Sequence, residues 1–335
     1  MRLAALPSLP ANLVSSLESC GIITEIDLLF SASTLEILRR LTPGNTSLQE
    51  LERFKALVAN SVSAPGHSAA ELSKETEEEE EDALLSGIPQ LDEILSGLTL
   101  PGRLIEVSGD KKSGKSSLLL HLVLRHLVHC PGSNVLWVDT TGDFSAVRAA
   151  DILASSYDSD ASLTLDRLEV SAAFDVDALH EILEELRSSL CSGIAPPPRT
   201  RALVVDTITP LLGPFLSPVS SQGHAIMTST MQRLRGFAQA FSMTVFVVND
   251  SVAFSPYIPG SASNTPHIRK PALGPSFTFL ADATLWLVNC EGGATNKRNE
   301  NASNCTKHIA QVYRSKVTTS QIWRSFEMRQ GIISP

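Results

Sequence analysis

The chain has 335 residues, 43% of them apolar, which is enough for one large domain and a small companion, and it carries no apolar run long enough to span a bilayer. Its five cysteines (Cys20, Cys130, Cys191, Cys290 and Cys305) are scattered and form no CxxC pair, which argues against a disulfide framework or a zinc site and for a reducing compartment. The net charge of −9 is unevenly spread: residues 71–82, ELSKETEEEEED, sum to −7, whereas residues 297–335 hold seven Lys/Arg against two acids.

The opening MRLAALPSLPANL is broken by Pro7 and Pro10 and makes a poor secretory signal. The sequons at Asn45, Asn301 and Asn304 are then read as chance matches. Residues 1–60 predict a small helical domain. PANLVSSLESCG has apolar residues at helical spacing, EIDLLF and STLEILRRL follow, and SLQELERFKALVANSV opens with Ser47 and Glu50 placed as a capping box. Such a unit is too small to bury much area alone and is expected to dock on something. Residues 61–83 form a flexible acidic linker.

From residue 84 to 335 strands and helices alternate. RLIEVSG (103–109), NVLWVD (134–139), RLEVSA (167–172), RALVVD (201–206) and MTVFVVN (243–249) read as strands. KSSLLLHLVLRHLVH (115–129), SAVRAADILASSY (145–157), VDALHEILEELRSSLC (176–191) and AIMTSTMQRLRGFAQAF (225–241) read as helices. ATLWLVN (283–289), KHIAQVYRS (307–315) and IWRSFEM (322–328) read as later strands. Apolar strands alternating with helices imply an α/β fold with a mostly parallel sheet covered on both faces. Two stretches rich in Pro, Ser and Gly, 207–224 and 250–274, lack this pattern. Both leave the carboxyl edge of the sheet, where ligands bind in open α/β folds.

Gly109-Asp110-Lys111-Lys112-Ser113-Gly114-Lys115-Ser116 matches GxxxxGK[ST] between a strand and a helix. Glycines let successive N–H groups turn inward on phosphate oxygens, and the helix starting near Lys115 adds the positive end of its dipole. Lys115 would reach the β- and γ-phosphates of ATP, and the Ser116 hydroxyl would ligate Mg²⁺. Lys111 and Lys112 read as solvated charges. ALVVD, closing on Asp206 about ninety residues later, has the form of a Walker B strand whose acid would support the metal. The histidines show no metal-ligand spacing, and no nucleophile–base set is recognisable.

Residues 86–122, SGIPQLDEILSGLTLPGRLIEVSGDKKSGKSSLLLHL, resemble the entry to the ATPase core of RecA-type recombinases. LVVDTITPLL resembles their Walker B strand and the start of a first DNA loop. VVND resembles their sensor strand, and KPALGPSFTFLADATLWL (270–287) resembles the segment that caps a neighbouring subunit's ATP. GIITEIDLL is similar to the helix-hairpin domain of eukaryotic and archaeal members. The likeness covers nearly the whole chain outside the acidic tether. The Lys-Pro-Ala-Leu-Gly run, with the degenerate turn described next, places it nearest the paralogues of the eukaryotic recombinase Rad-fifty-one, their D-type branch above all.

The resemblance implies that residues 109–116 and Asp206 serve ATP and Mg²⁺, and that Arg148 lies against adenine. It implies that 207–224 and 250–269 face DNA, that Asn249 and Asp250 occupy the sensor, and that Lys270, Pro271, Ala272, Leu273 and Gly274 form the interface and ATP cap. Two positions depart from the pattern. The turn Asp-Thr-Glu-Gly-x-Phe of the strand-exchange enzymes is DTTGDF here, so Thr141 stands where the general base belongs, and Asp250 replaces the sensor glutamine. A threonine does not take a proton from water near neutral pH, and a general base contributes about 10²–10⁴-fold in rate. Asp143, two residues on, is the nearest substitute, but it is shorter than glutamate and sits at another turn position.

The expected protein is therefore an ATP-binding subunit of a nuclear hetero-oligomer of recombinase paralogues. It would assist recombinase assembly on single-stranded DNA during homologous recombination and double-strand break repair, with little or no ATPase activity alone and no membrane attachment. A DNA-dependent ATPase that performs strand exchange itself, and an unrelated P-loop kinase, are the competing readings. Few aromatic or basic residues line the two loops, so affinity for single-stranded or branched DNA should be weak in the isolated chain.

Overall fold

A computed structural model describes residues 3, 10–41, 46–63, 68–70, 83–157, 161–191, 199–217, 221–254, 268–290, 305–329 and 331–334. The acidic segment 71–82, the centre of the second long loop (255–267), residues 218–220 of the first, and the sequons at Asn45, Asn301 and Asn304 lie outside these residues. The chain divides into two units, Met1–Ser73 and Lys74–Pro335.

In the first unit polar caps set the helix starts. The helices are Ala11–Ser19, Glu25–Phe30, Thr34–Arg40 and Leu48–Val62, so the last runs past the expected boundary at residue 60. Thr24 with Asp27, Ser33 with Glu36 and Ser47 with Glu50 each close a reciprocal capping box that satisfies two otherwise orphaned N–H groups. The acid of each box sits below its ordinary pKa because backbone N–H groups hold its ionised form. Leu13, Leu17, Ile22, Leu28, Ile37, Leu51 and Val58 make a small separate core.

The second unit is built on a nine-stranded sheet: β1 (Leu104–Gly109), β2 (Ser133–Asp139), β3 (Leu168–Ala172), β4 (Arg199–Asp206), β5 (Thr244–Asn249), β8 (Ala283–Asn289), β9 (Cys305–Ser315), β10 (Trp323–Arg329) and β11 (Ile332–Ser334). A separate hairpin pairs β6 (Ser251–Phe254) with β7 (Ile268–Pro271). The sheet order is β11-β10-β9-β8-β1-β5-β4-β2-β3. Strands from β3 across to β8 run parallel, whereas β8 to β11 form an antiparallel meander. All six residues of β1 are buried, as expected of a central strand covered on both faces. One layer packs Leu118, Leu119 and Val123 of helix Lys115–His129 on Val107 and Phe246. The other packs Leu179 and Leu183 of helix Val176–Cys191, and Met231 and Leu234 of helix Ser221–Ala240, on Leu203 and Val245.

The two stretches expected to lack order are partly regular. Ile208–Leu212 is a short helix that buries Ile208, Leu211 and Leu212, followed by a 3-10 turn at Gly213–Phe215, and the next helix begins at Ser221, ahead of the expected start at residue 225. Pro210 masks this helix in the sequence, yet it lies in the first turn, where its missing N–H costs no intrahelical bond. Within 250–274, β6 and β7 zip together with Val252 opposite Lys270. Their partners are distant in sequence, so no local pattern reveals the pairing. Among the described residues no helix is long and apolar enough to cross a membrane.

Candidate nucleotide-binding site

Parallel strand order brings the carboxyl ends of β1, β2, β4 and β5 to one edge. Asp139 is in register with Asp206 across β2 and β4, and Ser108 with Asn249 across β1 and β5. The phosphate loop, the turn after β2, Asp206 and Asp250 therefore surround one spot.

The loop is glycine-dependent at two positions. Gly109 has φ +156°, and a Cβ there would collide with the Leu287 carbonyl of β8. Gly114 has φ +94°, and a Cβ would sit 2.6 Å from Cε of Met328 on β10. Helix Lys115–His129 starts directly after Gly114, so its unpaired N–H groups face the loop. The Lys115 side chain is 8% exposed. It donates to the carbonyls of Gly109 (2.9 Å) and Asp110 (3.0 Å) and lies 3.3 Å from Oδ1 of Asp250. Lys111 and Lys112 are exposed, Lys112 in a left-handed conformation at φ +63°.

Asp206 is partly buried and its pKa is raised to about 6. Loss of hydration is the main cause. A hydrogen bond from the Ser116 hydroxyl and the nearby Lys115 charge pull it back, while Asp139 and Asp250 push it further up. A hydroxyl and a carboxylate side by side, with unrelieved negative potential, form a hard-oxygen donor pair of the kind Mg²⁺ takes. The loop amides and Lys115 fit phosphate. Ser116 and Asp206 would hold the metal, which when bound screens phosphate charge.

The turn after β2 is held by Asp139. Its Oδ1 accepts from the N–H groups of Thr141 (3.0 Å) and Gly142 (2.9 Å), and its Oδ2 from that of Phe144 (2.9 Å). Burial alone would raise the Asp139 pKa, but these backbone donors outweigh it and keep the carboxyl below its usual range. Asp139 is therefore committed to shaping the turn. Thr140 ties the turn to β4: its N–H donates to the Asp206 carbonyl (3.0 Å), its hydroxyl donates to the Thr207 carbonyl (2.6 Å), and its Oγ1 lies 2.8 Å from the Thr207 nitrogen. Thr141 comes next, beside the Asp206 strand end, and Asp143 is exposed.

A cavity of about 480 Å³ opens against the loop, bounded by Lys112–Ser117, Arg148, Asn289, Thr306, His308, Met328 and Gly331. Arg148 bonds the Ser117 hydroxyl and lies against Gly331, where a Cβ would fall 2.5 Å from Nη2. The segment 270–274 is held as well. The Ala272 N–H donates to the Asp250 carbonyl (2.8 Å), Pro271 and Leu273 are buried, Lys270 pairs across the hairpin, and Gly274 starts the helix Gly274–Leu280.

Sequence reasoning missed two supporting groups, Glu106 and His308. Glu106, fully buried on β1, accepts from Ser108 (2.7 Å), Asn249 (2.7 Å) and Thr284 (2.9 Å), and so fixes the end of β5. A lone acid inside LIEVSG was the available signal. His308, on the inward face of β9, meets the Ser113 carbonyl at 2.9 Å. Asp110 bonds the Ser251 hydroxyl and pairs with Arg269 at 3.1 Å, tying the loop to the β6–β7 hairpin. Among the described residues no trio of His, Cys, Asp or Glu is gathered at metal-ligand distance.

A phosphate loop after the central strand of a parallel sheet, with an acid closing a strand two places away, defines a RecA-type P-loop core. A crystal structure of the RadB recombinase shares the fold, with a TM-score of 0.54 at 22% identity over 75% of this chain and 98% of that one. The Rad51 family model matches residues 81–308, and the chain belongs to the Rad51 family of recombination and repair proteins as a paralogue of the recombinase. It is similar to the DNA repair protein RAD51 homolog 4 of Bos taurus (27% identical, 88% of this chain and 87% of that one) and to its Mus musculus counterpart (28%, 63% and 62%). It is also similar to the DNA repair and recombination protein RadB of Pyrococcus furiosus (24%, 50% and 68%).

Proposed function

We propose that this chain is a subunit that binds Mg²⁺·ATP and holds it within a hetero-oligomer of recombinase paralogues, and that the assembly helps load the recombinase on single-stranded DNA in the nucleus. One observation carries the reading. The turn after β2 presents Thr141 where the resemblance implies a base, its Asp139 is spent on backbone N–H groups, and Asp143 is exposed, which supports a site that keeps its phosphate half and lacks the expected glutamate of the water-activating half. A site that binds but turns over slowly is suited to using nucleotide as an interface ligand, with Lys270–Gly274 facing the neighbour.

The test is affinity capture of the tagged full-length chain with Mg²⁺ and ATP, with no nucleotide, and as Lys115→Ala. Recovery of RecA-type subunits that falls in the last two conditions is expected. Identical recovery in all three removes ATP from the interface. Robust DNA-stimulated hydrolysis by the isolated chain would favour the strand-exchange reading instead.

A further inference from the structure

We propose that Glu106 is a positioning residue for the metal half of the site: it sets the direction of a hydrogen-bond chain, through Asn249 to Thr209, that holds the end of β4 and its Asp206 in place. This rests on the reading that the loop and Asp206 bind Mg²⁺·ATP, and it adds what keeps the metal acid aimed.

The β4–β5 ladder runs from Ala202 opposite Thr244 to Val205 opposite Val247, so Asp206 stands one residue past it. Beyond the ladder two threonine hydroxyls continue the contact. Thr207 Oγ1 donates to the Val248 carbonyl (2.8 Å). Thr209, in the first turn of helix Ile208–Leu212, donates to Oδ1 of Asn249 (3.0 Å) and accepts the Asp250 N–H (2.8 Å). The first tie ends on a backbone carbonyl, whose polarity is fixed. The second ends on a side-chain amide, which has a donor on one side and an acceptor on the other.

Glu106 decides which side faces Thr209. It is fully buried, as are Ser108, Asn249 and Thr284, and its oxygens accept from Ser108 (2.7 Å), Asn249 Nδ2 (2.7 Å) and Thr284 (2.9 Å). A carboxylate offers acceptors only, so the Asn249 NH₂ turns toward it and the Asn249 oxygen turns toward Thr209. The Thr209 hydroxyl then gives its one proton to Asn249 and keeps a lone pair for the Asp250 N–H. The polarity of the whole chain therefore follows from one acid at the sheet centre. Glu106→Gln keeps the volume but brings an NH₂. Where that group meets Asn249, the amide turns over, the Thr209 proton loses its acceptor, and the tie from helix Ile208–Leu212 to β5 weakens. Groups behind a metal ligand are worth about 10–100-fold in metal affinity, and a chain that acts through the backbone belongs at the lower end.

The experiment is calorimetric titration of ATP into the full-length chain, with Mg²⁺ and with EDTA, for wild type, Glu106→Gln, Thr209→Val, their double variant and Thr209→Ser. Glu106→Gln and Thr209→Val should each weaken ATP about tenfold with Mg²⁺ and less than about threefold with EDTA. The double variant should lose no more than about threefold beyond either single one, because both break the same chain. Thr209→Ser keeps the hydroxyl and should stay within about threefold of wild type. Thermal unfolding without ligand reports the fold of each variant; if Glu106→Gln does not fold, the Thr209 pair decides, and Val and Ser behaving alike overturns the proposal. Equal losses with and without Mg²⁺, losses that multiply in the double variant, or Thr209→Val binding like wild type would each overturn it as well. If wild type binds ATP in neither condition and Lys115→Ala changes nothing, the nucleotide reading itself fails and takes this one with it.

Discussion

The phosphate loop and the turn after β2 sit at the same sheet edge, yet they have kept different things. The loop has the groups that phosphate binding would use: two glycines in positions a side chain cannot occupy, a buried lysine and a hydroxyl bonded to the Asp206 carboxyl. The turn is folded by the N–H groups that Asp139 gathers, but carries Thr141 where the resemblance implies a base. On the proposed reading, binding and turnover would be separable in one pocket. Binding needs many weak donors in register, whereas turnover needs one group with the right proton affinity.

That contrast can be broken from either side. The largest effect is expected at the loop: Lys115→Ala removes the buried ammonium and should lower Mg²⁺·ATP affinity by 100-fold or more, read by calorimetry, on the order of 3 kcal/mol. From the other side, Thr141→Glu should raise phosphate release by about 100-fold, the lower end of what a general base contributes. No gain in single-turnover phosphate release, despite normal ATP binding, would mean that the turn lacks more than its carboxylate.

Asp206→Asn sharpens the contrast further. With its pKa raised to about 6, the ionised carboxylate destabilises the ligand-free chain. The penalty is present in full above about pH 6 and fades as pH falls toward the ordinary carboxylate value. The Asn variant should therefore melt higher at pH 7.5 without ligand, by up to about 3 kcal/mol of stability, with the gain shrinking by pH 5. Added Mg²⁺·ATP should reverse the order, because only wild type offers the metal an acid. The smallest effect belongs to the first unit. Ser47→Ala should cost about 1 kcal/mol through loss of a helix cap and leave nucleotide affinity unchanged, as measured by thermal unfolding and titration.

What the sequence shows and hides follows from distance along the chain. Helices Lys115–His129 and Val176–Cys191 are readable end to end because their signals are contiguous. So are the phosphate loop and the Asp206 strand. The helix at Ile208–Leu212 is hidden by Pro210, and the β6–β7 hairpin by a partner some seventeen residues away. Thr141 carries no signal of its own. It becomes informative only beside an expectation of what a RecA-type turn should hold. The Lys115–Asp250 pair is likewise invisible, since its partners meet only because β5 is threaded next to β1.

The His308–Ser113 contact gives the eight-residue phosphate motif a different scale. The motif is recognised locally, but one of its carbonyls is held by a ring 195 positions further on, and Gly114 is packed under Met328 of the following strand. The antiparallel meander therefore works as a splint for a loop it does not resemble. Inheritance of the motif and inheritance of its rigidity are separate matters, and a change in the last thirty residues can loosen the cradle while leaving every letter of GDKKSGKS in place.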